Sequence, residues 1–301
     1  MEVKSFYDFR NRVKEEILDY LPELGQAEVY IQEILKNNGI NKHALQILKP
    51  EERCSPSIYL ECYYERYRRG ESWQNIMEEI ASCYWRNRDR LPLALDEVLS
   101  FTGVQNQLVY RLVNYGRNEQ LLSEAPHIRW QDLAITFRWI AYRDEIGLAS
   151  SLVTNELMGH WGVSVDELWD IARKNMQEQF PATCIAMEEL LLQLDYNYPV
   201  SQMGEERCLM YVLTNSQKLN GAGSIFYPGV LEQFGKEHEA DIFLLPSSIH
   251  EMILIPAVRG IVEGDLQEIV RHTNQEVLAE GDYLSDQVYY YERKSKQIRQ
   301  I

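Results

Sequence analysis

The sequence predicts an α+β protein in which antiparallel sheets carry helices packed on them. Two hairpin signals predict it, Asn37-Asn38-Gly39 and Asp144-Glu145-Ile146-Gly147. The third observation is that helical periodicities stand between runs of strand formers, of which Leu133 to Tyr142 is the longest. The expected organisation is an N-terminal helix–meander unit over residues 1–90 and a larger C-terminal α+β unit over residues 91–301. The boundary is soft and falls near Asn87 to Leu91, where charge is dense and apolar periodicity fails.

Phe6, Phe9, Val13, Ile17 and Leu21 recur at helical spacing, and Pro22 and Gly25 end that helix. Ala27 to Lys36 reads as a strand, with His43 to Leu48 as its partner and Ser57 to Leu60 as a third. Trp73, Ile76, Met77, Ile80 and Tyr84 mark a helix, and Leu91 to Phe101 a shorter one. Leu108 to Tyr115, Gln131 to Tyr142 and Leu148 to Val153 are strands. Ser164 and Glu167 form a capping box, followed by a helical face of Val165, Leu168, Trp169, Ala172 and Met176. Ile185 to Leu194 reads as a helix, Leu209 to Thr214 and Ala222 to Phe226 as strands, and Pro228 as the opening of a helix. Asp241 to Leu245 and Glu251 to Ile255 are strands joined by a turn over Pro246 to Glu251, each ended by its proline. Asp265 caps a helix, Gln287 to Tyr291 is the last strand, and the polar tail from Arg293 is expected to fray.

The 301 residues carry 30 Lys and Arg against 46 Asp and Glu, a formal net charge of -16. That charge repels a phosphate backbone, so general nucleic-acid binding is disfavoured. No run approaches the ~20 consecutive apolar residues that span a bilayer. The first ten residues lack a signal-peptide core, so a cytoplasmic protein without membrane attachment is expected. Cys54, Cys62, Cys83, Cys184 and Cys208 are odd in number, widely spaced and without a C-x-x-C. Free thiols are expected. The six histidines show no metal-pair spacing, and no metal or cofactor is implied.

Five strings carry a family resemblance. They are Asn114-Tyr115-x-Arg117-Asn118, Asp132-Leu133-Ala134, Val153-Thr154-Asn155-Glu156-Leu157, Tyr211-Val212-Leu213-Thr214-Asn215 and Leu245-Pro246-Ser247-Ser248-Ile249-His250-Glu251. Leu284-Ser285-Asp286 fits with them. The chain resembles the DUF5688 family, proteins of unknown function from gut-dwelling Clostridia and their relatives, over nearly its whole length. Its middle, with Trp161-Gly162 before the capped helix, is loosely similar to the DUF1444 group. The chain has Pro126-His127-Ile128-Arg129 where the family pattern puts a basic residue straight after the histidine, which does not favour an anion site in that segment. The resemblance implies a bacterial origin and brings no activity with it.

No catalytic signature is complete. His250-Glu251 begins H-E-x-x-H, but Leu254 holds the second histidine position. Gly221-Ala222-Gly223 begins like a dinucleotide loop, but Phe226 holds the third glycine position. Pro246 to Glu251 is the best local candidate for chemistry, because Ser247, Ser248, His250 and Glu251 offer hydroxyl, imidazole and carboxylate within six residues. Against that, serines at a turn satisfy backbone groups and His250 begins a strand. Only one of His250 and Glu251 should reach any given pocket, since successive strand residues face opposite ways, and His250 is the one expected. A second candidate is Tyr63 to Arg69 with Tyr84 to Arg90, where Arg66, Arg69, Arg86 and Arg88 interleave with aromatics as in single-strand nucleic-acid grooves. The alternative is aromatics in the core with arginines at helix ends.

The leading functional expectation is a non-enzymatic binding or regulatory protein whose partner is a protein. The alternatives are a hydrolase-type enzyme using His250 and Glu251, and a nucleic-acid-associated factor using the arginine–tyrosine segments. Nothing in the sequence indicates an oligomeric state.

Overall fold

The computed structural model describes residues 3–50, 52, 55–88, 95–143, 148–194, 210–258, 263–276 and 278–301. They form an α+β protein with three antiparallel sheets. The turn expected over Asp144 to Gly147 lies outside these residues, as do Cys54 and Cys208. Cys62, Cys83 and Cys184 are free thiols. The chain divides into two compact units, Met1–Phe101 with Ile140–Ser150, and Thr102–Trp139 with Ser151–Ile301.

In the first unit, Ser5 caps helix α1 (Phe6–Glu16) by accepting from the Asp8 N–H. The helix buries Phe9 and Val13. Strands β1 (Glu28–Leu35) and β2 (Asn41–Leu48) pair from Glu28 opposite Leu48 to Leu35 opposite Asn41. The turn between them takes Asn38 to φ 59° and Gly39 to φ 74°. Asn and Gly are the residues that tolerate this left-handed region. Strand β3 (Ile58–Tyr59) adds to β2, and helices α2 (Glu61–Arg68) and α3 (Trp73–Arg88) follow. Phe9, Val13, Ile17, Leu45, Ile47, Leu60, Ile76, Met77 and Ile80 are wholly buried together. Each such side chain contributes roughly 1.5–3 kcal/mol. The single helix expected over Leu91 to Phe101 is instead two, α4 (Leu95–Leu99) and α5 (Phe101–Val104), with residues 91–94 outside those described.

Most of a second sheet, centred on a long strand, belongs to the second unit, while its residues Ile140–Arg143 and Leu148–Ser150 count with the first. Strand β4 (Leu108–Asn114) is followed by helix α6 (Glu119–Glu124), β5 (His127–Trp130), β6 (Leu133–Arg143) and β7 (Leu148–Leu152). β6 pairs with β4 on one side and with β5 and β7 on the other. Helix α7 (Asn155–Trp161) is capped by Thr154. Helix α8 (Val165–Gln179) carries the full capping box of Ser164 and Glu167. Strand β8 (Ala182–Ala186), helix α9 (Met187–Leu194), β9 (Tyr211–Asn215), α10 (Val230–Glu237), β10 (Ile242–Ser248), β11 (Glu251–Pro256), α11 (Glu263–Glu276), β12 (Tyr289–Glu292) and β13 (Gln297–Gln300) complete it. The six-stranded sheet runs β13-β12-β10-β11-β9-β8.

Four local expectations are corrected. Ile185 and Ala186 belong to β8, opposite Val212 and Tyr211, and the helix starts only at Met187. Pairing onto β9 overrides the apolar spacing there. Ala222 to Phe226 is a 3-10 turn within Gly221–Phe226, entered through Asn220 at φ 54°. The Tyr110 hydroxyl donates to the Gly223 carbonyl at 2.8 Å, and a Cβ on Gly223 would lie 2.6 Å from that ring. Helix α10 is entered from Gly229 at φ 82°, so Pro228 precedes it. The tail from Arg293 does not fray into coil: Gln297 to Gln300 pair with Glu292 to Tyr289. The Arg293 N–H donates to Asp241 Oδ1 at 2.9 Å, and Lys296 meets Glu232 at 2.8 Å, which together close this last hairpin.

Candidate functional site

The Pro246 to Glu251 segment is a tighter hairpin than expected. β10 continues through Pro246, which pairs with Met252, to Ser248, which pairs with Glu251, with a register shift between them. Pro256 is the last residue of β11, opposite Ile242, and ends its strand as expected. Pro246 does not end β10, because that position needs no N–H on its other side. β12 pairs with β10 only over Ile242 to Leu244, and β9 pairs with β11 only over Met252 to Leu254. Only Ile249 and His250 remain as the turn.

That turn is tied down on every side. The Ser248 hydroxyl accepts from the His250 N–H at 3.0 Å. The Ile249 N–H donates to the Asp282 carbonyl at 2.9 Å, and the Ile249 carbonyl accepts from the Ala222 N–H at 3.3 Å. The Thr214 hydroxyl donates to the His250 carbonyl at 2.7 Å. The imidazole is held equally. Its Nδ1 accepts from the Asn220 N–H at 3.1 Å, and its Nε2 lies 3.3 Å from Asp282 Oδ1. A neutral ring that accepts at Nδ1 carries its proton on Nε2, so Nε2 donates to Asp282. Glu251 takes a different partner, accepting from the Ser247 hydroxyl at 3.1 Å. The histidine and glutamate therefore form two separate pairs, His250 with Asp282 and Ser247 with Glu251. Asp282 escaped the sequence reading, since 32 residues separate it from His250 and no motif joins them.

The arginine–tyrosine segments lie on α2 and α3. Arg66 donates to both Glu71 oxygens at 2.7 Å and meets Glu79 at 2.5 Å. The Arg66 bond holds the Glu79 carboxyl below its ordinary range, with burial opposing it. Arg88 pairs with Glu52 and lies 5.3 Å from the Trp85 ring centroid. Arg69, at the end of α2, and Arg86 are exposed. Tyr63 and Tyr84 are buried in the first unit's core, while Tyr64 and Tyr67 pack against Phe9 with tilted rings. The aromatics face inward, two of the four arginines are paired with carboxylates, and two remain at the surface.

A third polar cluster joins strings far apart in sequence. Asp132 accepts from the Ser285 hydroxyl at 2.6 Å and from the Tyr289 hydroxyl. Asn114 donates to the Leu284 carbonyl at 3.0 Å, and Asn274 donates to the Ser285 carbonyl and to Asp286. Arg117 stacks 3.5 Å from the Tyr283 ring centroid. Burial, reinforced by the Asp132 charge, pushes the Tyr289 hydroxyl far up, and burial with Asp286 pushes Tyr283 up to about 12. These phenols stay protonated and act as donors or packing surface. Asp132, Asn114, Arg117 and Leu284 to Asp286 all belong to the strings that carry the resemblance, and they meet here. Tyr211 to Asn215 and Leu245 to Glu251 meet in the same way, through Thr214 and the His250 carbonyl.

Among the described residues, no group of three His, Cys, Asp or Glu side chains is placed to hold a metal ion. A shallow groove lies along α11, lined by Asp265, Glu268, Ile269, Arg271, His272 and Gln275, all from that one helix. No helix among the described residues is long and apolar enough to cross a membrane. Comparison with curated proteins and with solved structures gives no match. The family comparison does: residues 6–293 match the model of DUF5688, a family of unknown function, and the chain belongs to that family.

Proposed function

We propose that the protein is a non-enzymatic binding or regulatory protein of the bacterial cytoplasm, with another protein as its partner. The observation that carries this reading is the state of His250, the best candidate for acid–base chemistry. Both of its ring nitrogens are engaged, one by the Asn220 N–H and one by Asp282, so neither is left to accept a proton from a substrate. Glu251 is bonded to Ser247 and separated from it. The edge of the first sheet, to which no further strand is added among the described residues, supports a protein partner. β1 ends the order β1-β2-β3, is eight residues long and exposes Tyr30, so its outer backbone groups suit an added strand.

The test is recovery of tagged full-length protein from its host, with mass spectrometry and nucleic-acid staining of the eluate, alongside His250→Ala and Glu251→Ala. A protein recovered stoichiometrically by the wild type, and still recovered by both variants below their melting temperatures, agrees with the reading. Nucleic acid as the sole co-purifying species overturns it. So does hydrolysis of generic ester or amide substrates that His250→Ala abolishes without lowering the melting temperature.

A further inference from the structure

Arg111 lies in the middle of β4, opposite Thr136 on β6, and Thr136 lies opposite His127 on β5. Residues directly opposite one another share a sheet face, as do alternate residues along a strand. One face of this sheet therefore carries Arg111, His127, Arg129 and Arg138 around Thr136, in a chain whose net charge is -16. Ile128 falls on the other face, so the spacing of His127 and Arg129 keeps both side chains on this one.

Most of these groups have work within the fold. Arg129 stacks 4.3 Å from the Tyr115 ring centroid. The Thr136 hydroxyl donates to the Arg111 carbonyl at 3.2 Å. His127 Nδ1 donates to the Ala125 carbonyl at 2.9 Å, which leaves Nε2 of the neutral ring an acceptor rather than a donor. The Arg111 guanidinium differs. Its Nε is closed to solvent and has no hydrogen-bond partner among the described residues. Asp282 acts on its charge favourably, but that carboxylate is bonded to His250. Burial first, and Arg138 second, push the Arg111 pKa down to about 9. A buried guanidinium without a bonded anion is costly, and two oxygens of a carboxylate or phosphate relieve the cost through two parallel N–H bonds. The residue as a whole keeps some exposure, so it remains accessible from solvent.

We propose that Arg111 anchors a binding site for a small oxyanion, a carboxylate or a phosphate, on this face of the sheet, with Arg138 as the neighbouring second cation. The proposal is independent of the protein-binding reading above, which rests on His250 and β1.

The experiment is arginine footprinting of the full-length wild type with phenylglyoxal, read by peptide mass spectrometry. It is run in sodium chloride, in inorganic phosphate and in acetate at equal ionic strength. Modification of Arg111 should slow by a factor of about 1 + [anion]/Kd, roughly tenfold at nine times Kd. Arg68, exposed on α2, should react equally in all three salts. Protection by phosphate alone, or by acetate alone, identifies which oxyanion the site takes. Equal rates at Arg111 in the three salts overturn the proposal, as does an Arg111 that never reacts, since a guanidinium closed to a small reagent is closed to a ligand. As a second measurement, Arg111→Gln with an unchanged far-UV spectrum should lose any anion-dependent rise in melting temperature. A rise that persists overturns the proposal, and if this variant does not fold, the wild-type footprint decides.

Discussion

Replacing Asp132 with alanine tests the cluster that draws the resemblance strings together. The carboxylate accepts from Ser285 and Tyr289, both of which are fully buried. Asp132→Ala therefore strands two buried hydroxyl donors. A buried donor left without a partner costs about 1–3 kcal/mol, so the two together give about 2–6 kcal/mol. Two features pull the value to the lower half. Ser285 keeps its bond from the Gln287 N–H at 2.8 Å, and Asp132 is itself partly exposed, so water can follow the side chain out. The expected loss is about 2–4 kcal/mol, or roughly 5–15 °C in melting temperature for a unit of this size. Urea unfolding followed by tryptophan fluorescence measures it, because the Trp130 ring lies 5.0 Å from that of Tyr289. Tyr289→Phe removes one donor and leaves the carboxylate its other partner and some water, for a loss of about 1 kcal/mol. The double variant should cost less than the sum of the two by about 1 kcal/mol, as residues in one network do. A loss under about 1 kcal/mol for Asp132→Ala, or strict additivity in the cycle, refutes the reasoning.

Gly221→Ala places a Cβ 2.2 Å from the Thr214 hydroxyl, 2.6 Å from the His250 carbonyl and 2.7 Å from the Asn215 nitrogen, so a loss of about 3 kcal/mol is expected in urea unfolding. His250→Ala removes two bonds from a partly exposed ring and should cost about 1–2 kcal/mol, whereas Glu251→Ala should stay within about 0.5 kcal/mol, both read as melting-temperature shifts. Glu16 bonds Arg12 and the Trp73 indole, and the Arg12 bond holds its carboxyl below 4.5, with burial opposing and Trp73 adding to the fall. A lowered folded-state pKa gives stability that is present above pH 4.5 and lost as pH falls through the folded value. Glu16→Gln should therefore flatten the acid limb of a pH–stability profile of the first unit, and an unchanged limb would contradict this.

Local chemistry alone determined a good part of this fold. Phe6 to Leu21, Trp73 to Tyr84 and the Ser164–Glu167 box carry helix signals within a few residues of themselves, and helices form there. Asn37-Asn38-Gly39 supplies the left-handed conformations its hairpin needs, and the flanking strands pair around it. The strings that suggested DUF5688 are likewise readable residue by residue. What the sequence could not determine was settled by partners distant along the chain. β8 takes residues that locally read as helix, because β9 offers an edge. Gly221 to Phe226 leaves the extended state because Tyr110 and Thr214 press on its glycines. The tail joins β12 because Asp241 and Glu232 hold its turn. The candidate site follows the same division: residue types at Ser247 to Glu251 were legible, but which carboxylate meets His250 depends on a strand hairpin, a 3-10 turn and the Asp282 loop arriving together. Arg111 carried no local signal at all, because an arginine in a strand becomes unusual only when packing seals its Nε from water and, among the described residues, no carboxylate bonds it.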